Sequence, residues 1–205
     1  MANLSESVVE QAALDWFRGL GYDVVGGPDM PPGPQSLRES YADAIFPSVV
    51  RSALDRLNPN LATDALDDAF RRLTRPEGSN LESRNRAFHR FLIDGVTVEY
   101  RDDGGAIRGA QAQVLDFEQP ANNDWLVVNQ FRVEEGNNKR RPDIALFVNG
   151  LPLAVIELKN PGDEDATIRS AWQQLRTYQA ELPSLFIFNA VLAVSDGVEA
   201  RLGTL

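Results

Sequence analysis

The segment RPDIALFVNGLPLAVIELKNP (residues 141–161) holds two apolar runs on either side of Asn149-Gly150. Runs of this length, joined by an Asn-Gly pair that accepts left-handed backbone, predict two antiparallel strands and a tight hairpin. Asp143 opens the first strand, and Glu157-Leu158-Lys159 closes the second. Side chains two apart on a strand leave the same face, so Glu157 and Lys159 share one. Register then sets a condition on Asp143. A plain two-residue loop pairs Val148 with Leu151 and Asp143 with Ile156, which turns Glu157 to the face opposite Asp143. An odd-length loop or a β-bulge restores the match, and Gly150 suits a G1 bulge. A local irregularity is therefore predicted in this hairpin.

The charges at its open end need an explanation. A carboxylate and an ammonium on an otherwise apolar strand are costly to bury unless paired or metal-bound. A Glu–Lys surface pair would account for VIELK but not for the Pro142-Asp143 start. The chain has 18 arginines and two lysines, so a lysine here is not a casual surface choice. Its compact, mobile charge has a tunable pKa, where arginine supplies a rigid fork. Two converging carboxylates suit a hard divalent cation such as Mg²⁺ with water completing its shell. Such an ion polarises a phosphodiester and lowers the pKa of bound water, and Lys159 can orient that water or neutralise phosphate charge.

Outward from the hairpin the pattern is mixed. Apolar residues at Val8, Val9, Ala12, Ala13, Phe17 and Leu20 predict an amphipathic helix over about 4–20, ended by Gly21. YDVV (22–25) reads as a short strand and GGPDMPPGPQS (26–36) as a loop. Three helices are predicted at about 41–57, 62–74 and 81–91. GVTVEY, AQAQVLDF and WLVVNQFRVE then read as strands, with EEGNNKRRP as a loop before Asp143. A helix over about 164–182 follows, and FIFNAVLAVS gives one or two more strands. The expected fold is α/β, a mixed, mainly antiparallel sheet flanked by the first and last helices, with a helical insertion. A single domain over 1–205 is expected, its core at about 1–25 and 95–205 and the insertion at about 38–93.

Composition narrows the chemistry. With 43% apolar and 24% charged residues the chain suits a globular protein. No apolar run is long enough to span a bilayer, the start MANLSESVVE has no signal-peptide pattern, and a cytoplasmic location without membrane is expected. The absence of cysteine excludes disulfides and thiolate chemistry. The one histidine, His89, sits among arginines with no evident partner, which argues against a His-based metal site or triad. A net charge of −10 opposes nucleic-acid binding by bulk electrostatics. The positive charge is nevertheless clustered. Arg71, Arg72 and Arg75, and then Arg84, Arg86 and Arg90, read as solvated helix faces. Lys139, Arg140 and Arg141, directly before the carboxylate site, are candidate DNA contacts.

Arg141-Pro142-Asp143, the apolar hairpin and Glu157-Leu158-Lys159 resemble the PD-(D/E)xK nucleases. The ordered set DFEQPANNDWLVVNQFRV, RPDIALFVNGLPLAVIELKNP, QQLRTYQ and VSDGVEARLGT is similar to the N-terminal endonuclease domain of the R subunit of type I restriction enzymes. The likeness is dense over about 111–205, with a weaker echo in the first helix, and residues 30–100 add little. It implies Mg²⁺ (or Mn²⁺) held by Asp143, Glu157 and the Leu158 carbonyl, with Lys159 catalytic. It also implies a Q-x-x-x-Y motif, here Gln174 and Tyr178 on one helix face. Gln174 would orient water or phosphate, and Tyr178 would stack on or bond to DNA, with core packing the competing role. Glu10 is the family-like acid of the first helix, reaching the metal through water, unless it serves a Ser7–Glu10 capping box.

The family implies double-stranded DNA as substrate and methyltransferase and specificity subunits as partners. It further implies an ATP-driven motor, and ATP only in the full-length subunit. The chain contains no G-x-x-x-x-G-K-[ST] loop, so the motor is expected to be absent and the chain to be a fragment or a short relative. Two alternatives stand beside this reading: a stand-alone repair or junction nuclease of the same fold, and a non-catalytic DNA-binding or assembly module that retains it.

Overall fold

In the computed structural model, residues 5–101, 104–160 and 167–205 are described. Leu4, Pro161 and the expected helix start at 164 lie outside them.

The chain opens with helix α1 (Glu6–Gly19), which buries Val9 and Leu14 and ends before Gly21. Strand β1 (Asp23–Gly26) and a short 3₁₀ turn lead into the Pro/Gly loop. Helices α2 (Pro47–Leu57), α3 (Thr63–Thr74) and α4 (Leu81–Asp94) follow. Residues 41–46, expected to begin α2, are irregular. Pro47 sits in the first turn, where its missing N–H has no partner to lose. Then come β2 (Val96–Arg101), β3 (Ile107–Ala112), β4 (Trp125–Asn129), β5 (Val133–Glu135), β6 (Asn138–Arg140), β7 (Ile144–Val148) and β8 (Leu151–Leu158). Helices α5 (Ile168–Glu181) and α6 (Pro183–Phe186) and strands β9 (Val191–Ser195) and β10 (Ala200–Gly203) complete the fold.

The main sheet has the order β1-β4-β7-β8-β9-β10. Its centre, β4-β7-β8, is antiparallel, β1 and β9 join in parallel, and β10 pairs antiparallel with β9. The mixed, mainly antiparallel α/β expectation holds. The run of strands after Gly95 does not form one sheet, however. β2 and β3 make a separate hairpin, as do β5 and β6, the latter formed within the expected loop EEGNNKRRP.

Strand alternation sorts the core into two layers. Val127, Ile144 and Leu158 face Val9 and Leu14 of α1. Val128, Ala145 and Val155 face Ala171, Leu175 and Tyr178 of α5. Asp143 and Glu157, two positions from Ala145 and Val155, fall on the α5 side.

The expected irregularity is present, but not at the turn. Asn149 (φ +50°) and Gly150 (φ +79°) form a plain two-residue loop with Val148 opposite Leu151. The register slips further along: Phe147 faces Pro152 while Leu146 faces Ala154, leaving Leu153 as the extra residue. Proline lacks an N–H for the ladder, which makes this a natural place for pairing to break. The Leu153 carbonyl accepts instead from the backbone N–H of Ala190 at 2.7 Å, just before β9. Beyond the bulge Ile144 faces Ile156, so Asp143 comes opposite Glu157.

Helices α2–α4 and the β2–β3 hairpin bury Val50, Leu54, Leu73, Phe88, Val96 and Val98 in one cluster with Val148 and Leu151. This assembly sits on the turn end of the β7–β8 hairpin. Gly150 is required at the contact: a β-carbon there would lie 2.8 Å from the Phe46 carbonyl, and the left-handed φ already disfavours any side chain.

Candidate active site

The open end of the hairpin gathers the charged residues. Asp143, just before β7, and Glu157 of β8 are both buried, at 6% and 1% exposure, one step beyond the Ile144–Ile156 pair. Asp143 Oδ2 accepts from the Leu158 backbone N–H at 2.7 Å. In an antiparallel pair the N–H and C=O of one residue point to the same neighbour, so the Leu158 carbonyl also leaves toward Asp143. Lys159 Nζ lies 3.4 Å from Glu157 Oε1 and donates to Gln174 Oε1 at 2.9 Å. The Gln174 amide donates in turn to Glu157 Oε1 and, at 2.6 Å, to the Tyr178 hydroxyl. Spacing by one turn of α5 makes that chain possible, since residues 174 and 178 share a face.

Glu10 joins from α1. It makes no capping box; α1 is preceded by Ser5, whose side chain caps nothing. Glu10 Oε1 accepts from Asn129 Nδ2 at 2.6 Å and Oε2 from Gln130 Nε2 at 3.2 Å. The same Gln130 amide donates to Asp143 Oδ1 at 3.2 Å, tying the first helix to the carboxylate pair. Gln130 holds a left-handed backbone (φ +54°), and its N–H donates to the Asp143 carbonyl at 2.7 Å. A positive φ on a non-glycine residue persists only where surrounding contacts hold it. Sequence reading missed Gln130 because WLVVNQFRVE looks like one uninterrupted strand. It also missed Glu6, one turn before Glu10, which burial and the nearby Asp143 hold above the usual carboxylate range. The signal for Glu6 was available: like charges at i and i+4 repel and are disfavoured without a balancing cation.

Electrostatically the centre is short of positive charge. Burial first, and the neighbouring Asp143 second, push the Glu157 carboxyl up to about 8. Glu157 Oε2 is buried with no hydrogen-bond partner among the described residues. An orphaned carboxylate oxygen beside a second carboxylate and a backbone carbonyl fits a hard divalent cation. Among the described residues no three Asp, Glu, His or Cys groups stand close enough to hold a metal by themselves. The donor set is thus two carboxylates and a carbonyl, and Mg²⁺, which keeps several waters, needs little more. Asp143, Glu157 and the Leu158 carbonyl are the direct candidates, with Glu10 one residue further away behind Gln130.

The remaining expectations fare differently. The Tyr178 ring is packed in the α5 layer, 7% exposed, so it presents no stacking surface to DNA; burial and the nearby Glu157 raise its hydroxyl to about 12. Arg140 is held by both carboxylate oxygens of Glu181, at 2.5 and 2.8 Å, and Lys139 lies 3.7 Å from Glu134. Of the three basic residues before Asp143, Arg141 alone is exposed and unpaired among the described residues. His89 is half-buried, its Nε2 2.9 Å from the Asn189 carbonyl, a helix-packing role. Among the described residues no helix is long and apolar enough to cross a membrane.

Comparison with known proteins identifies the family. The family model described as type I restriction enzyme R protein N terminus matches residues 3–205. The HindI endonuclease subunit of Haemophilus influenzae is 38% identical over 98% of this chain and 19% of its own length. A putative type I restriction enzyme endonuclease subunit of Methanocaldococcus jannaschii is 33% identical over 99% of this chain and 20% of its own. One from Staphylococcus aureus is 30% identical over 98% of the chain. The chain spans about a fifth of the length of these relatives. It belongs to the family defined by the N terminus of the type I restriction enzyme R protein.

Proposed function

We propose that this chain is the Mg²⁺-dependent DNA-cleaving domain of a type I restriction endonuclease subunit, acting on double-stranded DNA. The observation that carries the reading is the bulge-restored opposition of buried Asp143 and Glu157, with Lys159 beside Glu157 Oε1 and Oε2 left without a hydrogen-bond partner among the described residues. When bound, the cation would supply a Lewis acid for the phosphodiester and an acidified water. Asp143, Glu157 and the Leu158 carbonyl would hold it. Lys159, largely buried and steered by Gln174, presents a positive charge beside the carboxylates, suited to the phosphate or to the attacking water. Tyr178 supports that arrangement through Gln174 as a positioning residue. Glu10 and Gln130 hold Asp143 from the other side.

In the complete subunit we assign this domain the cutting step, after ATP-driven translocation by a motor elsewhere in the protein. Methyltransferase and specificity subunits would complete the complex, and sequence would be read there. Calorimetric titration with Mn²⁺ tests the site. Binding is expected to the native chain and to vanish in Asp143→Asn and Glu157→Gln; undiminished binding in both variants overturns the assignment.

A further inference from the structure

The carboxylate end of the domain offers DNA little positive charge, because Arg140 and Lys139 are engaged by Glu181 and Glu134, which leaves Arg141 as the one exposed, unpaired cation of that run among the described residues, and the whole chain carries a net −10. A phosphodiester chain approaching Glu6, Glu10, Asp143 and Glu157 meets repulsion that one cation and Lys159 offset only locally. The compensating charge lies elsewhere. Between residues 71 and 90 six arginines stand against two glutamates. The facing surfaces of α3 and α4 and the turn between them form a groove of about 510 Å³ lined by Arg71, Arg72, Arg75 and Arg90 against one acid, Glu77, with Phe91 and Ala87 as its apolar floor.

Two features distinguish this groove from an ordinary solvated helix face. Its cations outnumber its acids: Arg71 and Arg72 share the single carboxylate of Asp68, Glu77 is the one acid in the lining, and Arg75 and Arg90 have no ion-pair partner among the described residues. Its geometry is also fixed from behind. Asn85 of α4 donates to the carbonyls of Phe186, Ile187 and Asn189, and His89 meets the Asn189 carbonyl, locking α4 to the turn before β9. Arg71 in the last turn of α3 and Arg75 at its C-cap line the same groove, so neighbouring cations are available to one run of phosphates.

We propose that the α3–α4 groove is a second DNA contact, gripping the phosphate backbone without reading bases, at the hairpin's turn end rather than its carboxylate end. This rests on the nuclease reading above but concerns a different surface. The sheet fixes the separation: α4 is anchored beside Leu153, and Glu157 lies four residues on, roughly 13 Å along the strand. The arginines project beyond that anchor. A duplex held in the groove would thus be positioned beside the cleavage site, supplying the attraction that the acidic centre cannot.

The test is fluorescence anisotropy of a short labelled duplex with the whole chain in EDTA, across a salt series. Arg75→Gln/Arg90→Gln should lower the salt slope by about 1.8 and weaken binding roughly 60-fold near 0.1 M salt. Arg75→Lys/Arg90→Lys should stay close to native. Arg18→Gln/Arg201→Gln, the same charge change on exposed residues elsewhere, should have little effect. Native-like binding by the glutamine pair, equal loss in the control pair, or no duplex binding by the native chain each overturns the groove proposal. Mn²⁺ titration of the same samples reports separately on the carboxylate site, so failure of the groove and failure of the nuclease reading are distinguishable.

Discussion

Replacing Glu157 with glutamine should make the metal-free domain more stable, although it removes a residue at the heart of the site. The Glu157 carboxyl is raised from the ordinary 4.5 to about 8 by burial and by Asp143. A raised carboxyl favours the folded state fully at pH below 4.5 and loses that contribution as pH rises through about 8. At pH 7 the unfolded chain has released this proton, while the folded chain retains it or carries a bare buried charge. With 1.36 kcal/mol per pH unit, the penalty at pH 7 is at most about 3 kcal/mol. Glutamine keeps the shape without the proton linkage. For a domain of this size the gain corresponds to roughly 6–12 °C in Tm. Thermal unfolding of both proteins in EDTA from about pH 4.5 to pH 8 is the assay. The native curve should fall with pH, and the variant should be flatter and cross above it. Added Mn²⁺ should raise the native Tm at pH 8 and leave Glu157→Gln nearly unchanged. A variant no more stable than the native protein at pH 7–8, with the same pH slope, would refute the claim that this carboxyl is buried short of positive charge.

Deleting Leu153 closes the bulge without changing which residues pair beyond it, so Asp143 stays opposite Glu157 and Mn²⁺ binding per folded molecule should persist; loss of binding in a folded variant would show that this opposition does not make the site. Gly150→Ala must place a β-carbon against the Phe46 carbonyl at a left-handed φ and should cost about 1–3 kcal/mol in urea unfolding, with metal affinity unchanged. Asn85→Leu leaves the Ile187 carbonyl without its donor, while the Phe186 carbonyl keeps the Asn189 N–H and the Asn189 carbonyl keeps His89, and should destabilise by about 1–3 kcal/mol; a smaller loss would mean water replaces the amide. In the complete restriction enzyme, Lys159→Ala should abolish cleavage while ATP-driven translocation persists, and simultaneous loss of both would indicate a structural role instead.

Much of this protein was legible from local pattern alone. The Asn149-Gly150 turn, the apolar strands around it, the stripe of α1 and the α5 helix follow from propensity and periodicity, which depend on near neighbours in the chain. The pairing of Asp143 with Glu157 was foreseen only as a condition, because separation along the chain does not say where an extra residue is accommodated. The choice of Leu153 follows from Pro152 and from the Ala190 N–H, which waits across the sheet for the bulged carbonyl. Distant partners governed the rest. Whether Arg140 is free depends on Glu181, whether Tyr178 can meet DNA depends on the packing of α5, and what Glu10 does depends on Gln130 at a strand end that reads as continuous. Residue types and local spacing give the chemistry that a segment can offer. Burial and hydrogen bonding belong to contacts between segments far apart in the chain, and these set which charges stay exposed, which are neutralised and which are left in need of a cation.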